Sequence, residues 1–402
     1  MNIPMPCAGK FMIQKGVTMK KTVLIITFAM IPAVLYSGSA VDISGQIRHR
    51  YEFSDKDFNS ATNAESFSLL RTRLNLGLAP TGNVKAFIQF QDARNFGEEG
   101  NTLTDGSADN FDLHQGFIFI HRFFDLPLDV KLGRYEVVYG PERLLGSVGW
   151  SNTGRSLDGL TVSLHHPIAN IEFLNLKAGR TNTAGDAEEV WVRGFYGNLN
   201  LENYATHTFF IQDDKRNTWG MYAKGDIFQN LSHETGFAIQ GGSVGGLNQK
   251  GLFYATNLTY DQGMFKLTGG YEHLSGDDPA TPDKNETFNT LYATNHKFYG
   301  FMDYFPSGSG DLGLNDLYVK FSPGKIKGVK IDGVYHVFTS EFKSNEKTDF
   351  GNELDITCTK KYDDSLTFIG GYSMFFKGSA DVGSYTDTSD ASWFYFMTLV
   401  NF

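Results

Sequence analysis

The feature that most constrains this chain is a period of two in side-chain polarity, carried by segments of about ten residues, the length that crosses a membrane as a tilted strand. In the first of them Ile43, Gly45, Ile47, His49, Tyr51 and Phe53 share one face, and Ser44, Gln46, Arg48, Arg50 and Glu52 share the other. The next has Leu70, Thr72, Leu74, Leu76 and Leu78 against Arg71, Arg73 and Asn75. After the turn Pro80–Thr81–Gly82–Asn83, a third sets Val84, Ala86, Ile88 and Phe90 against Lys85, Gln89 and Gln91. Successive strand side chains point to opposite faces, so each segment has one apolar and one polar surface. The pattern recurs to the end, where Phe394, Phe396, Thr398, Val400 and Phe402 line one face of ASWFYFMTLVNF. We find no helical periodicity after residue 40.

The N-terminus says where such strands work. From Met19 the chain reads MKKTVLIITFAMIPAVLYSGSA: two lysines, a short apolar run, then small residues at Gly38 and Ala40. This is the pattern of a secretory signal cleaved after Ala40, with residues 1–18 as an N-terminal extension. Residues 1–40 hold four of the 35 lysines and arginines and no acid, which leaves 31 bases against 45 acids, a net charge of -14. That balance argues against nucleic acid as a partner. Cys7 leaves with the signal, and Cys358 alone cannot form an intrachain disulfide. No later apolar run approaches the roughly 20 residues of a spanning helix.

A secreted chain crosses a membrane without helices only as a closed barrel, in which every backbone group is paired. The connections point the same way. Short turns at Pro80–Asn83, FDLPLD and HHPIAN alternate with longer stretches at Asn95–Asp112, Leu132–Leu160 and RTNTAGDAEE, and a further long loop candidate runs from Ser275 to Phe298. Transmembrane barrels have short periplasmic turns and long extracellular loops. The expected fold is therefore all-β: an antiparallel transmembrane β-barrel of about 18 strands over residues 41–402. Counting alternating segments gives about 19, an odd number at variance with the even counts of single-chain bacterial barrels, and Phe298–Phe305 is the segment to doubt. An aromatic C-terminus suits recognition by the barrel-insertion machinery, and lipid and lipopolysaccharide become the surrounding partners.

Sidedness then assigns the charges. A cation at the lipid midplane costs roughly 2–4 kcal/mol, so Arg48, Arg50, Arg71, Arg73 and Lys85 must face the lumen. The stretch LGRYEVVYGPERLLGSVGWSNTGRSLDGL, Leu132–Leu160, reads as inner wall and constriction, and adds Arg134, Arg143 and Arg155. Parity extends the set to Lys177, Arg193, Lys224 and Lys320. Glu52, Glu353 and Asp355 also read as inward, where they pair with arginines or dilute their field. Guanidinium forks in series hold carboxylates weakly enough to let them pass. No nucleophile and base converge, the pair His165–His166 finds no further ligand, the acidic loops lack the EF-hand pattern, and GGSVGGLNQ lacks the Gly-Lys step and following helix of a phosphate cradle, so neither enzyme, metal nor cofactor is expected.

The same central stretch, with SLLRTRLNLGL, AFIQFQDARNFGEE, FDLHQGFIF and TFNTLYATNHKFYGFMDYF in order along the chain, resembles the alginate export family of outer-membrane porins. The resemblance implies an 18-stranded monomeric barrel in the outer membrane of a Gram-negative bacterium, with an arginine-lined lumen that conducts a polyuronate. Carried over by position, its lumen arginines fall on Arg48, Arg71, Arg73, Arg134, Arg143 and Arg155. The function expected is a channel for anionic oligo- or polysaccharide or for other small anions. The alternative left open is a receptor or adhesin barrel with a plugged lumen.

Overall fold

The computed structural model describes residues 40–98, 111–183, 186–201, 204–305, 308, 310–383, 385, 387 and 389–402. Residues 1–39 of the expected leader, and 99–110 of the loop read at Asn95–Asp112, lie outside the described residues. The strands in chain order are β1 (Ala40–Asp55), β2 (Glu65–Ala79), β3 (Val84–Asn95), β4 (Phe111–Ile120), β5 (Leu128–Tyr135), β6 (Leu157–His166), β7 (Ala169–Thr183), β8 (Asp186–Leu201), β9 (Tyr204–Asp213) and β10 (Arg216–Phe228). There follow β11 (Leu231–Val244), β12 (Leu247–Gln249), β13 (Leu252–Asp261), β14 (Phe265–Leu274), β15 (Lys284–Asn285), β16 (Leu314–Pro323), β17 (Val329–Ser344), β18 (Lys347–Lys361), β19 (Leu366–Lys377) and β20 (Ala391–Asn401).

Two of these, β12 and β15, are short and pair parallel to one another within loops. The other 18 form one antiparallel barrel, closed where β1 pairs with β20 along Gln46↔Asn401 to Asp55↔Ser392. The C-terminal residue completes the seam. Gly45 N–H donates to Phe402 O at 2.7 Å and Phe402 N–H returns to Gly45 O at 3.1 Å. A side chain at Gly45 would collide with the Phe402 ring, so the glycine is what lets the terminal aromatic lie against the first strand.

The period of two is resolved as expected. Ile43 (63% exposed), Ile47, Tyr51, Phe53, Leu74, Phe394 and Phe396 stand on the outer surface, while Arg48, Arg50, Glu52, Arg71, Arg73, Gln89 and Gln91 are buried inside. Cys358 is exposed with Ile356 on the outer face. No described helix is long and apolar enough to cross a membrane, which for a barrel decides nothing.

Three readings of the chain change. Phe298–Phe305 is not a strand; it belongs to the 275–313 connection between β14 and β16. Its apolar character has another cause: Tyr304 and Phe305 pack on Phe375, Phe338 and Phe350, which face inward from β17–β19. Second, Arg180–Glu189 is no long loop, because Arg180↔Glu189 to Thr183↔Asp186 are cross-strand pairs that prolong β7 and β8. Third, several inner faces are apolar. Leu157, Leu174, Leu176, Val192, Tyr196, Phe209 and Ile211 are buried with Val137, Leu144 and Leu145 of the β5–β6 connection.

Strand length explains where that connection goes. The eight residues of β5, at ~3.3 Å each and tilted by about 40°, rise only about 20 Å, whereas 16-residue strands such as β8 rise about 40 Å. Residues 136–156 therefore leave the wall at lumen depth. The apolar inner faces of β6–β9 are what they pack against.

Candidate functional site

The lumen is crossed by two inward connections, 136–156 and 275–313, which meet. Gly146 N–H donates to Tyr292 O at 2.9 Å, Tyr292 N–H to Leu144 O at 2.9 Å, and Thr294 N–H to Glu142 O at 2.9 Å. Side chains reinforce the contact. Thr294 Oγ1 donates to Glu142 Oε2 at 2.6 Å, Lys297 pairs with Glu142, and His296 stacks on Trp150 with centroids 4.4 Å apart. Together they form a septum between the barrel walls.

One wall is basic. Arg48 and Arg71 are direct cross-strand neighbours on β1 and β2, each 4% exposed. Arg48 donates to Gly149 O (2.7 Å) and Ser151 O (2.8 Å); Arg71 donates to Gly149 O (3.3 Å), Ser151 O (3.2 Å) and Gln46 Oε1 (2.8 Å). The Nε of each is buried without a hydrogen-bond partner. Among the described residues neither has a carboxylate within ion-pair distance. Their neighbours differ. Arg50 pairs with Glu52 at 2.7 Å and lies 3.9 Å over Trp150; Arg73 pairs with Glu136 at 3.0 Å. Glu136 also meets His114 Nε2 at 2.8 Å; burial opposes its charge, but His114 and Arg73 together hold its carboxyl below the usual range.

A second stretch of wall, over β14–β18, is acidic. Glu272 on β14 takes Arg143 in two-point fashion at 2.5 Å per bond, Asp316 on β16 accepts from His336 at 2.9 Å, and Asp355 on β18 accepts from Ser373 at 2.5 Å. Glu353 and Asp355 receive the N–H groups of Met302 (2.8 Å) and Phe301 (3.3 Å), so they seat the second connection rather than pair with arginines. Burial works against the Arg143 charge, yet Glu272 outweighs it and raises its pKa above the ordinary value. A fork held this way has no free face for a solute.

The remaining predicted positions separate. Arg155 donates to Ala293 O at 3.2 Å and borders a cleft of about 420 Å³ with Gln91, His114 and Arg134; burial lowers its pKa. Arg134 shares the parity of outward Leu132 and pairs with Asp158 of β6 at 3.0 Å. Lys85 faces inward by parity at the opposite mouth, on a cavity shared with Asp42, Phe87 and Phe117. Lys224 and Lys320 also lie inside, the first 3.7 Å from Glu234. Arg193 does not join them: buried Val192 and Tyr196 take the inner face of β8, and Arg193 stands outside with Trp191, bonding Asn175 at 3.0 Å. Lys177 lies on that same outer surface, paired with Glu189. Parity failed for these two because β7 and β8 are apolar inside as well as outside, so the pattern has no phase to read.

What this arrangement offers is a lumen cavity of about 430 Å³ on the septum's periplasmic side, bordered by Arg48, Arg71, Trp150, His296 and Lys297. The described residues contain no group of three or more His, Cys, Asp or Glu able to hold a metal.

The sequence profile for alginate export matches residues 39–393. The chain belongs to the alginate export family. No curated protein matches it by sequence. Among solved structures, OccAB4 of Acinetobacter baumannii aligns with a TM-score of 0.65 at 9% identity over 91% of this chain and 99% of that one. The outer-membrane protein OprD of Pseudomonas aeruginosa aligns with a TM-score of 0.62 at 10% identity over 90% and 93%, and OpdK of the same species, solved with vanillate, with 0.63 at 12% over 90% and 98%. At such identities the likeness is one of fold. Family and fold together make this chain a non-enzymatic channel of the Gram-negative outer membrane.

Proposed function

We propose that this member of the family conducts carboxylate-bearing anions, short oligouronates among them, and that Arg48 and Arg71 form the recognition pair. The observation that carries the proposal is their lack of compensation. Two buried guanidinium groups stand side by side on neighbouring strands, and the oxygens that hold them belong to backbone carbonyls and amide side chains. A carbonyl dipole satisfies donors without cancelling charge, so a solute carboxylate is what the pair lacks. Vanillate in OpdK is itself a carboxylate, which supports the class.

Cavity size favours short solutes. The septum leaves pockets of about 430 and 290 Å³ on its periplasmic side, room for one or two sugar rings; a long polyuronate needs the two connections to part. That septum also favours a second reading, a receptor barrel with a plugged lumen. The test is the reversal potential of the refolded barrel in a planar bilayer under a KCl gradient, with glucuronate added as blocker. The channel reading expects anion preference, and Arg48→Ala with Arg71→Ala should raise the blocking concentration roughly tenfold to a hundredfold. Cation preference, or block indifferent to both arginines, would overturn it. Absence of current would favour the receptor.

A further inference from the structure

The short strands that send 136–156 inward also leave the barrel wall incomplete. β4 pairs with β5 only up to Gly116↔Arg134, β5 with β6 only up to Tyr135↔Leu157, and β6 with β7 only up to Asp158↔Lys177. Above that row β4 continues to Phe111 and β7 to Thr183, and among the described residues no strand stands between them. The two are three strand positions apart, so the notch is about 14 Å wide between strand axes. Its floor lies six residues up β5, at Arg134, and eight up β6, at Asp158. That is about 15–20 Å above the periplasmic turns, inside an apolar band roughly 25 Å tall.

Two features need water at that depth. Strand edges with unpaired N–H and C=O groups are tolerated in a membrane only where they are buried in protein or line a wet cavity. Arg134 shares the parity of outward Leu132, and with its cross-strand partner Asp158 it would otherwise set an ion pair in lipid. The cleft of about 420 Å³ supplies the water: Arg134 borders it together with inward Gln91 and His114, so the space reaches from the lumen to the line of the sheet. Toward the septum Arg155 has the Ala293 carbonyl at 3.2 Å and the Tyr292 ring, and among the described residues no carboxylate lies within ion-pair distance of it. Asp112 is the one carboxylate on the lining, exposed at the extracellular end of β4. Outside, Phe111 (62% exposed) stacks on Phe90, and Leu113 (43%) adds to an apolar lip.

A polar cleft with an uncancelled guanidinium, opening past an apolar lip into the outer leaflet, fits a molecule that has both halves. We propose that the notch is a lateral portal for single-chain amphiphilic carboxylates of the long-chain fatty acid class. The chain lies on Phe111 and Leu113, and the head passes through the wall to Arg155. With Asp112 on the same lining, a singly charged carboxylate suits the cleft better than a doubly charged phosphate. The portal adds a sideways route to the axial one and does not rest on Arg48 and Arg71.

The test is electron spin resonance of the refolded barrel in phosphatidylcholine vesicles, with nitroxide-labelled stearic acid or its methyl ester, at a pH that keeps the acid ionised. Chains held by protein give a motionally restricted spectrum, so the restricted fraction measures association without needing a current. The acid should associate roughly tenfold more strongly than the ester. Arg155→Gln should remove most of that excess, because a membrane-resident acid meets this inward residue only through the portal. Arg193→Ala, which removes a cation from the outer surface, should leave the excess intact. Ser156→Trp, which fills the cleft, should act like Arg155→Gln and serves if that variant does not refold; an unchanged ester fraction reports insertion. Equal association of acid and ester overturns the portal. So does an excess that survives Arg155→Gln and Ser156→Trp, or one that disappears with Arg193→Ala, for the acid would then bind an outer cation. Failure of glucuronate block bears on the axial reading alone.

Discussion

The two charged walls of the lumen do opposite things with the same kind of contact. On the acidic wall, Glu272, Asp316 and Asp355 are each answered by a cation or hydroxyl, and Glu353 and Asp355 also take backbone N–H groups from the 275–313 connection. On the basic wall, Arg50 and Arg73 are answered by Glu52 and Glu136, but Arg48 and Arg71 are held by neutral oxygens of the 136–156 connection. Both walls seat a loop. Glu272 meets Arg143 and Asp316 meets His336, whereas Arg48 and Arg71 keep their charge, because a dipole solvates an ion and a counter-ion cancels it. A count of arginines therefore overstates the field of this lumen; the informative quantity is the number left unpaired.

The comparison breaks first at Glu272. Removing its carboxylate with Glu272→Ala strands the buried Arg143, which should cost about 3–5 kcal/mol and loosen the septum. Urea titration of the reconstituted barrel should show a lower midpoint, and bilayer traces a larger, noisier conductance. A variant as stable and quiet as the parent would show that the acidic wall is not structural.

Next comes the paired half of the basic wall. Arg50→Gln combined with Glu52→Gln deletes a cation and its anion together, so reversal potential should move little compared with loss of Arg48 and Arg71. Some stability should go with it, since Trp393 Nε1 donates to Glu52 at 2.9 Å and Trp150 loses its guanidinium partner. A shift in selectivity as large as that of the unpaired arginines would erase the distinction between the two classes.

A smaller effect tests the seat on the acidic wall. Gly300 has φ +79°, and a side chain there would collide with the Glu353 carboxylate. Gly300→Ala should displace the Phe301 and Met302 N–H groups from their acceptors at a cost of about 1–3 kcal/mol. Its readout is an increase in open–closed flicker at constant ion preference. Unchanged flicker would mean that the contact does not restrain the connection.

The barrel was legible because its cause is local: alternation fixes sidedness, and lipid excludes cations from one face. The septum was less so. Trp150, His296 and Thr294 carry no period, and their partners lie more than a hundred residues away in sequence, so only the closed barrel brings them together. Phe298–Phe305 imitated a strand because packing inside a lumen demands apolar residues much as lipid does. Among the arginines, strand parity placed Arg48, Arg50, Arg71 and Arg73, but pairing depends on which carboxylates arrive from other elements, as Glu136 does for Arg73. A signal was present for Glu52, two residues from Arg50 on the same face; none marked Arg48 and Arg71 as the unpaired ones.

The smallest expected effect is the sharpest check on sidedness. Arg193 sits outside the barrel against Trp191, with its Nε on Asn175, where an amphipathic stem and a charged head suit the interfacial zone rather than the conduction path. A charge on the lipid side of the wall is separated from the lumen by the sheet and screened within about a Debye length, roughly 8–10 Å at physiological salt. Arg193→Ala should therefore leave reversal potential and glucuronate block as they are, with at most a few tenths of a kcal/mol change in stability. If selectivity instead falls as it does for Arg71→Ala, then Arg193 acts on the lumen, the inner and outer faces of β8 have been exchanged, and the apolar packing of Val192 and Tyr196 against the septum cannot stand.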